Sequence, residues 1–313
     1  MSFKAVPRLR IQPYLEGTEA DRSNFIEAFV DGLKEYGFVT LIDPPIDSSL
    51  VSQSYNSIEK FFKQPFQEKI KLDSLDGGQR GYTTFGKEKA KDSNHPDLKE
   101  FWHTGRTLPK GHSLEGRYSE NRWPTSLPKM ETSLTELYSQ LDRIAGILLQ
   151  ALETGLGSPP GTLRNLTEDG NSILRSIHYP ALDKKPPQGS VRAAAHEDIN
   201  LLTLLMGATS SGLELLDRNG DWLSVDSKEG EIVVDSGDML SRITNGFIPS
   251  TTHRVVNPED FSKPRYSMPF FVHPHPDAEL KCLEQFRDLK TPEPPIRANE
   301  FLIQRLRANG MID

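Results

Sequence analysis

Cysteine is almost absent from this chain: Cys282 is the only one in 313 residues. No intrachain disulfide can form and no cysteine cluster can hold zinc, so the expected setting is the reducing cytoplasm. Long hydrophobic runs are missing as well. No stretch approaches the roughly 18 consecutive apolar residues of a membrane-spanning helix. The opening MSFKAVPRLRIQPYLEG lacks the apolar centre of a secretory signal, which argues against export. Basic excess is also lacking. Lys and Arg number 37 against 44 Asp and Glu, a net charge of -7, so nothing in the totals favours a nucleic-acid or anionic-membrane partner. There is no internal repeat, no low-complexity tract and no proline- or serine-rich linker. With 35% hydrophobic residues the chain can bury a sizeable core, and the expectation is one domain over 1–313.

The patterning divides the chain into three textures. The first, about 1–165, is rich in helix. Phe25, Phe29, Leu33 and Tyr36 fall on one helical face with Gly37 as the C-cap, and FVTLID follows as a strand. A second helix spans about 48–63 and stops before Pro65. The longest stripe runs through Leu134, Leu137, Leu141, Ile144, Leu148 and Leu152. Residues 73–128 show no clean period, yet their aromatics point to an ordered, functional loop. The second texture, about 170–275, is a series of about eight short strands with turn signals between them, among them Asn219-Gly220. The third, about 280–313, ends in a helix. Regularly spaced short strands with flanking helices predict a mainly β fold, a double-sheet jelly roll (double-stranded β-helix).

Chemistry enters at RAAAHEDINLLTLLMG. Read as one strand, it puts His196, Asp198, Asn200, Leu202 and Leu204 on one face and Glu197 on the other. His196 and Asp198 then form a pair of metal ligands at the mouth of an apolar run. His253, in STTHRVVNP, stands fifty-five positions after Asp198 and supplies the third. Two histidines and a carboxylate suit Fe(II) with open positions, and they also suit zinc. Further on, RYSMPFFVHP places Arg265 and Ser267 two apart, a guanidinium and a hydroxyl on one strand face. That pair is a carboxylate clamp.

H-x-D, a distal histidine and R-x-S, in that order, resemble the iron- and 2-oxoglutarate-dependent oxygenase superfamily, and more narrowly its isopenicillin N synthase-like branch. IHYPAL, HEDINLLTLL and the N-terminal GLKEYGFVTL share that style. The resemblance implies that His196, Asp198 and His253 hold Fe(II), that Arg265 and Ser267 bind the distal carboxylate of 2-oxoglutarate, and that Tyr179 hydrogen-bonds the same acid. It implies O2 as oxidant, succinate and CO2 as products, and a small organic substrate that is oxidised, most simply by hydroxylation. The alternative is an iron oxidase of the synthase type that needs no 2-oxoglutarate, with a non-catalytic metal- or acid-binding protein behind it. Two departures argue against the synthase itself. Gln79 stands where an arginine would precede the Gly-Tyr pair, with Arg80 one place later, and the C-terminal stretch has Met311 in place of a glutamine. Arg80, Tyr82, Phe85, Trp102 and His103 occupy stretches that border the substrate pocket in the family. Lys99 and Glu100 read as a solvated pair. On the strand that ends at Tyr179, Arg175 and Ile177 share its face and His178 does not.

Overall fold

The computed structural model describes residues 5–74, 79–88, 96–182, 184, 186 and 189–308. Local chemistry starts the helices where the sequence signals stand. Thr18 caps the second helix reciprocally: the Asp21 N–H donates to its hydroxyl and its own N–H donates to the Asp21 carboxylate. Gly37 ends that helix at φ +67°, a left-handed conformation glycine adopts without cost. The helices are α1 (Gln12–Glu16), α2 (Glu19–Tyr36), α3 (Ser48–Phe62), α4 (Phe66–Lys69), α5 (Pro128–Gly155), α6 (Asp238–Ile243) and α7 (Ala298–Ala308). The strands are β1 (Arg8–Arg10), β2 (Phe38–Ile42), β3 (Gly81–Thr83), β4 (Glu100–Gly105), β5 (Ile173–Tyr179), β6 (Ala193–His196), β7 (Leu202–Met206), β8 (Leu213–Leu216), β9 (Trp222–Ser224), β10 (Ile232–Ser236), β11 (His253–Val255), β12 (Arg265–Val272), β13 (Glu279–Leu280) and β14 (Ile296–Arg297).

Eight strands form a large sheet in the order β1-β2-β10-β7-β12-β5-β4-β3, and four form a smaller one in the order β6-β11-β8-β9. Apart from the parallel β1–β2 pair, neighbours in both sheets run antiparallel. The two sheets pack face to face as the expected jelly roll. Strand alternation gives the large sheet two different faces. On β4, β5, β7, β10 and β12 the odd-numbered residues point toward the small sheet. There Phe101, Ile177, Tyr179, Leu205 and Val233 pack with Leu213, Leu215 and Val255. The even-numbered residues point outward under the helices. There Trp102, Leu174, Leu204, Val234 and Phe270 pack with the α2, α3 and α5 stripes.

Several expectations need correcting. The segment 73–128 is not one irregular loop, for β3 and β4 lie within it and extend the large sheet. Every residue of β4 is buried, so no polar alternation betrayed it. The initial VPRLRIQPYL is a three-residue strand followed by α1, because Pro13 suits a helix's first turn. The run EIVVDSGDMLSRITNG is a strand and then α6.

Lys99 and Glu100 are not solvated; they are 6% and 5% exposed and point to opposite faces of the sheet. On the outer face the Glu100 carboxylate accepts from Lys69 Nζ at 2.7 Å and 3.0 Å, from His178 Nδ1 at 2.8 Å and from the Tyr82 hydroxyl. Burial alone would raise the Glu100 carboxyl, but these three donors outweigh it and hold it low. Glu100→Ala strands a buried ammonium and is expected to cost about 3–5 kcal/mol of stability, read as a lower urea midpoint. An unchanged midpoint would show the cluster to be energetically idle.

Candidate metal and organic-acid site

The H-x-D pair does not lie on one continuous strand. β6, in the small sheet, ends at His196, and β7, in the large sheet, begins at Leu202. Residues 197–201 carry the chain from one sheet to the other. The Asp198 carbonyl accepts from the Asp238 N–H at 2.7 Å, which fixes the crossing against the start of α6. Leu202 and Leu204 belong to the outer core rather than to the face of His196. His253 opens β11 and pairs directly with His196 across the ladder.

The three side chains converge. One ligand atom from each of His196, Asp198 and His253 lies within 4.8 Å of the others. His196 Nδ1 bonds the Ala194 carbonyl at 2.7 Å and His253 Nδ1 bonds the Thr251 carbonyl at 3.1 Å. A carbonyl only accepts, so each ring carries its proton on Nδ1 and leaves an Nε2 lone pair. Both Nε2 atoms face Asp198 Oδ1, at 3.8 Å and 4.0 Å. Burial, with His253 alongside, lowers the His196 pKa to about 4, which keeps that ring neutral as a ligand. The other Asp198 oxygen accepts from the Thr203 hydroxyl, which accepts from Asn200 Nδ2 at 2.8 Å. Two oriented imidazoles and a hydrogen-bonded carboxylate are the donor set of a facial metal site, with outer partners already in place.

Glu197 turns the other way, as alternation predicts. It accepts from the Thr252 hydroxyl at 3.0 Å and lies 3.5 Å from Arg305 on α7. Arg305 also pairs with Asp238 at 2.7 Å. One guanidinium thus ties the segment that carries His196 and Asp198 to the C-terminal helix, while Glu197 itself reaches Thr252 beside His253.

Arg265 and Tyr179 are register partners on β12 and β5. Arg265 is 2% exposed. It donates to the Ser210 carbonyl at 3.0 Å and the Ser267 hydroxyl at 3.3 Å, and its guanidinium lies 5.0 Å from the Tyr179 ring. None of these partners is an anion. Arg192 adds a second guanidinium, 5.7 Å from the same ring. Burial, followed by repulsion from Arg265, pushes Arg192 down to about 10. Two buried cations around one phenol make a receptor for an organic acid. The sequence reading missed Arg192 because its proximity to Arg265 arises only when distant segments meet.

The remaining sequence candidates separate by face. His103 stands on the inner face opposite Arg175. Arg80 reaches the same face: a Cβ on Gly105 would lie 1.8 Å from its Cζ, so glycine is needed there. Its Nη2 donates to Asn171 at 2.7 Å. Trp102, Tyr82 and Phe85 are corrections. Trp102 is fully buried on the outer face against Phe61, at 4.9 Å between ring centroids. Tyr82 and Phe85 line a cavity of about 380 Å³ with Phe66, Lys69 and Glu100, on the outer side of the sheet. Met311 lies outside the described residues. Among them, no helix is long and apolar enough to cross a membrane.

Comparisons with known proteins found relatives over most of the chain. Residues 6–126 match the N-terminal model described as non-haem dioxygenase in morphine synthesis, and residues 170–274 match the 2OG-Fe(II) oxygenase superfamily. A 2-oxoglutarate-Fe(II) type oxidoreductase of Aspergillus fumigatus is 30% identical over 87% of this chain and 83% of its own. A 2OG-Fe(II) oxygenase family protein from Caulobacter crescentus superposes with a TM-score of 0.88 at 40% identity, covering 97% of this chain and 98% of that one. A full-length Neurospora crassa protein, solved with alpha-KG and thymine, superposes at 0.85 with 28% identity over 97% and 96% of the two chains.

Proposed function

The chain belongs to the 2-oxoglutarate- and iron(II)-dependent oxygenase superfamily, and from that premise we propose that His196, Asp198 and His253 hold its iron while Arg265, Ser267 and Tyr179 hold its 2-oxoglutarate. The observation that carries this reading is the convergence of both Nε2 atoms on Asp198 Oδ1, each ring locked by a carbonyl at Nδ1. Bound Fe(II) with 2-oxoglutarate supplies the activation of O2, and the balanced outcome is substrate C–H plus O2 plus 2-oxoglutarate giving alcohol, succinate and CO2. The chain's own residues do the rest. Arg265 and Arg192 neutralise the distal carboxylate, and the Ser267 and Tyr179 hydroxyls are placed to donate to it. Thr203 and Asn200 keep the Asp198 carboxylate turned toward the two imidazoles. Ile177, Phe101 and Leu205 keep the space between the sheets dry, which limits wasteful side reactions.

The substrate is a small organic molecule oxidised by hydroxylation. Thymine, bound in the Neurospora neighbour, is a compound of that size. β1–β4, from the first third of the chain, join the same sheet as β5, β7, β10 and β12, which supports one oxygenase unit rather than two domains. Net charge of -7 and one cysteine support a cytoplasmic enzyme with no nucleic-acid partner. The test is anaerobic addition of Fe(II) and 2-oxoglutarate, which should produce a visible charge-transfer band, followed by O2-dependent succinate formation. Absence of both the band and succinate would overturn the reading.

A further inference from the structure

A second group of buried polar side chains occupies the inner face beside the triad, and neither the iron nor the 2-oxoglutarate assignment uses it. Its centre is Arg175 on β5. Arg175 Nε donates to His103 Nε2 at 2.6 Å. Nη1 donates to both Glu88 oxygens at 3.2 Å. Nη2 has no partner among the described residues, and the side chain remains 18% exposed. The Phe101 and Phe271 rings lie 4.3 Å and 5.2 Å from the guanidinium carbon. With aromatic rings packed against the guanidinium, a ligand approaches in its plane, at Nη2.

The cluster lies close to the metal ligands. Phe271, which packs on Arg175, is the register partner of Thr203, whose hydroxyl bonds Asp198. His273, just past the end of β12, feels both the Asp198 and Arg175 charges. Its Nδ1 is buried without a partner among the described residues.

Among the described residues the charges of Arg175, Lys99, Glu88 and Asp97 are balanced. Glu88 lies between Arg175 and Lys99, the latter at 2.6 Å, and Lys99 also pairs with Asp97 at 2.9 Å. Burial would raise the Glu88 carboxyl, yet Arg175 and Lys99 outweigh it and hold the group well below the usual carboxylate range. Two cations therefore face two carboxylates. A guanidinium grips a carboxylate through two adjacent N–H edges. On Arg175 one edge of each such pair is taken, Nε by His103 and Nη1 by Glu88. Arg265 differs, because none of its partners is an anion.

We propose that Arg175 Nη2 anchors the substrate, and that the substrate is a small uncharged compound presenting a single carbonyl oxygen, as in an amide, lactam or ketone. The inference rests on the iron and 2-oxoglutarate reading above. A carboxylate gripped through two adjacent N–H groups would displace either Glu88, leaving that buried group with Lys99 alone, or His103, adding an anion beside Glu88. One acceptor oxygen uses the free amino group and disturbs nothing. His103 and Glu88 act as positioning residues that occupy Nε and Nη1 and leave Nη2 to the ligand.

The test uses the full chain loaded with Mn(II) and 2-oxoglutarate, a combination that does not turn over. Binding is measured by calorimetry for matched pairs: benzamide with benzoate, cyclohexanecarboxamide with cyclohexanecarboxylate, and pyrrole-2-carboxamide with pyrrole-2-carboxylate. The amides should bind at least about tenfold more tightly than their acids. Arg175→Met and Arg175→Lys should each lose about tenfold in amide binding while the Kd for 2-oxoglutarate stays within about twofold. The lysine variant keeps a cation beside Glu88 but lacks the planar edge, so it separates anchoring from charge balance. Acids binding as well as amides, amide binding unchanged in both variants, or no amide binding to the unmodified protein would each overturn the inference. Failure of the underlying reading has a different signature: 2-oxoglutarate itself would show no metal-dependent binding.

Discussion

Asp198→Ala is expected to abolish tight Fe(II) binding and to lower 2-oxoglutarate turnover at least about a hundredfold. The magnitude follows from a comparison. Removing an outer partner of a metal ligand typically costs 10–100-fold in affinity or activity, and Asp198 is the only carboxylate in the ligand cluster. The two imidazoles left behind bring no negative charge to offset that of a divalent ion. The variant should fold, because the substitution leaves the backbone carbonyl of residue 198, which accepts from Asp238, in place. Metal titration by calorimetry and the anaerobic charge-transfer band give readouts independent of turnover. An Asp198→Ala protein that still binds Fe(II) with unaltered affinity would remove this residue from the ligand set.

Arg265→Met is expected to raise the KM for 2-oxoglutarate by roughly a hundredfold, with Fe(II) affinity unchanged. Hydrogen bonds to charged groups contribute about 1.5–3 kcal/mol, and about 1.4 kcal/mol is a factor of ten. Arg192 remains nearby and limits the loss. Arg265→Lys separates charge from shape: the ammonium restores a cation but not the fork, so its KM should fall between the two. Because Arg265 stands 2% exposed with no anionic partner among the described residues, its removal leaves no orphaned carboxylate among them. Thermal stability should therefore hold. A KM that does not move would mean that the organic acid is bound elsewhere, and Arg192 would then be the first candidate.

Much of the site was legible because strand alternation is strict. Arg175, Ile177 and Tyr179 do share one face and His178 does take the other, where it meets Glu100. The double-sheet core, the long helices and the Gly37 cap were equally readable from period and turn chemistry. The same rule misled where the strand stopped. Leucines at 202 and 204 keep the period of His196 and Asp198, but the chain changes sheets between them. Nothing local announces that crossing; it is held by the distant Asp238 N–H. Trp102 and Tyr82 looked like pocket residues because aromatics in an irregular segment suggest a binding loop. β4 is buried on both sides, so polarity could not say which face each residue took. Arg192 and Glu88 stayed hidden for another reason. Arg192 meets Arg265 and Glu88 meets Arg175 across more than seventy positions each, and single-sequence reading carries no such pairings.

The alternation along β4 and β5 has a consequence for how this protein can diversify. Odd-numbered positions face the reaction chamber, and even-numbered ones are glued to the helices. A lineage, or a mutagenesis library, that varies only residues 101, 103, 175 and 177 rewrites what can enter the chamber. It leaves the Lys69–Glu100–His178 fastening on the far side of the same strands untouched. Substrate range and the fastening of the sheet to its helices are thus encoded in interleaved codons of the same two strands.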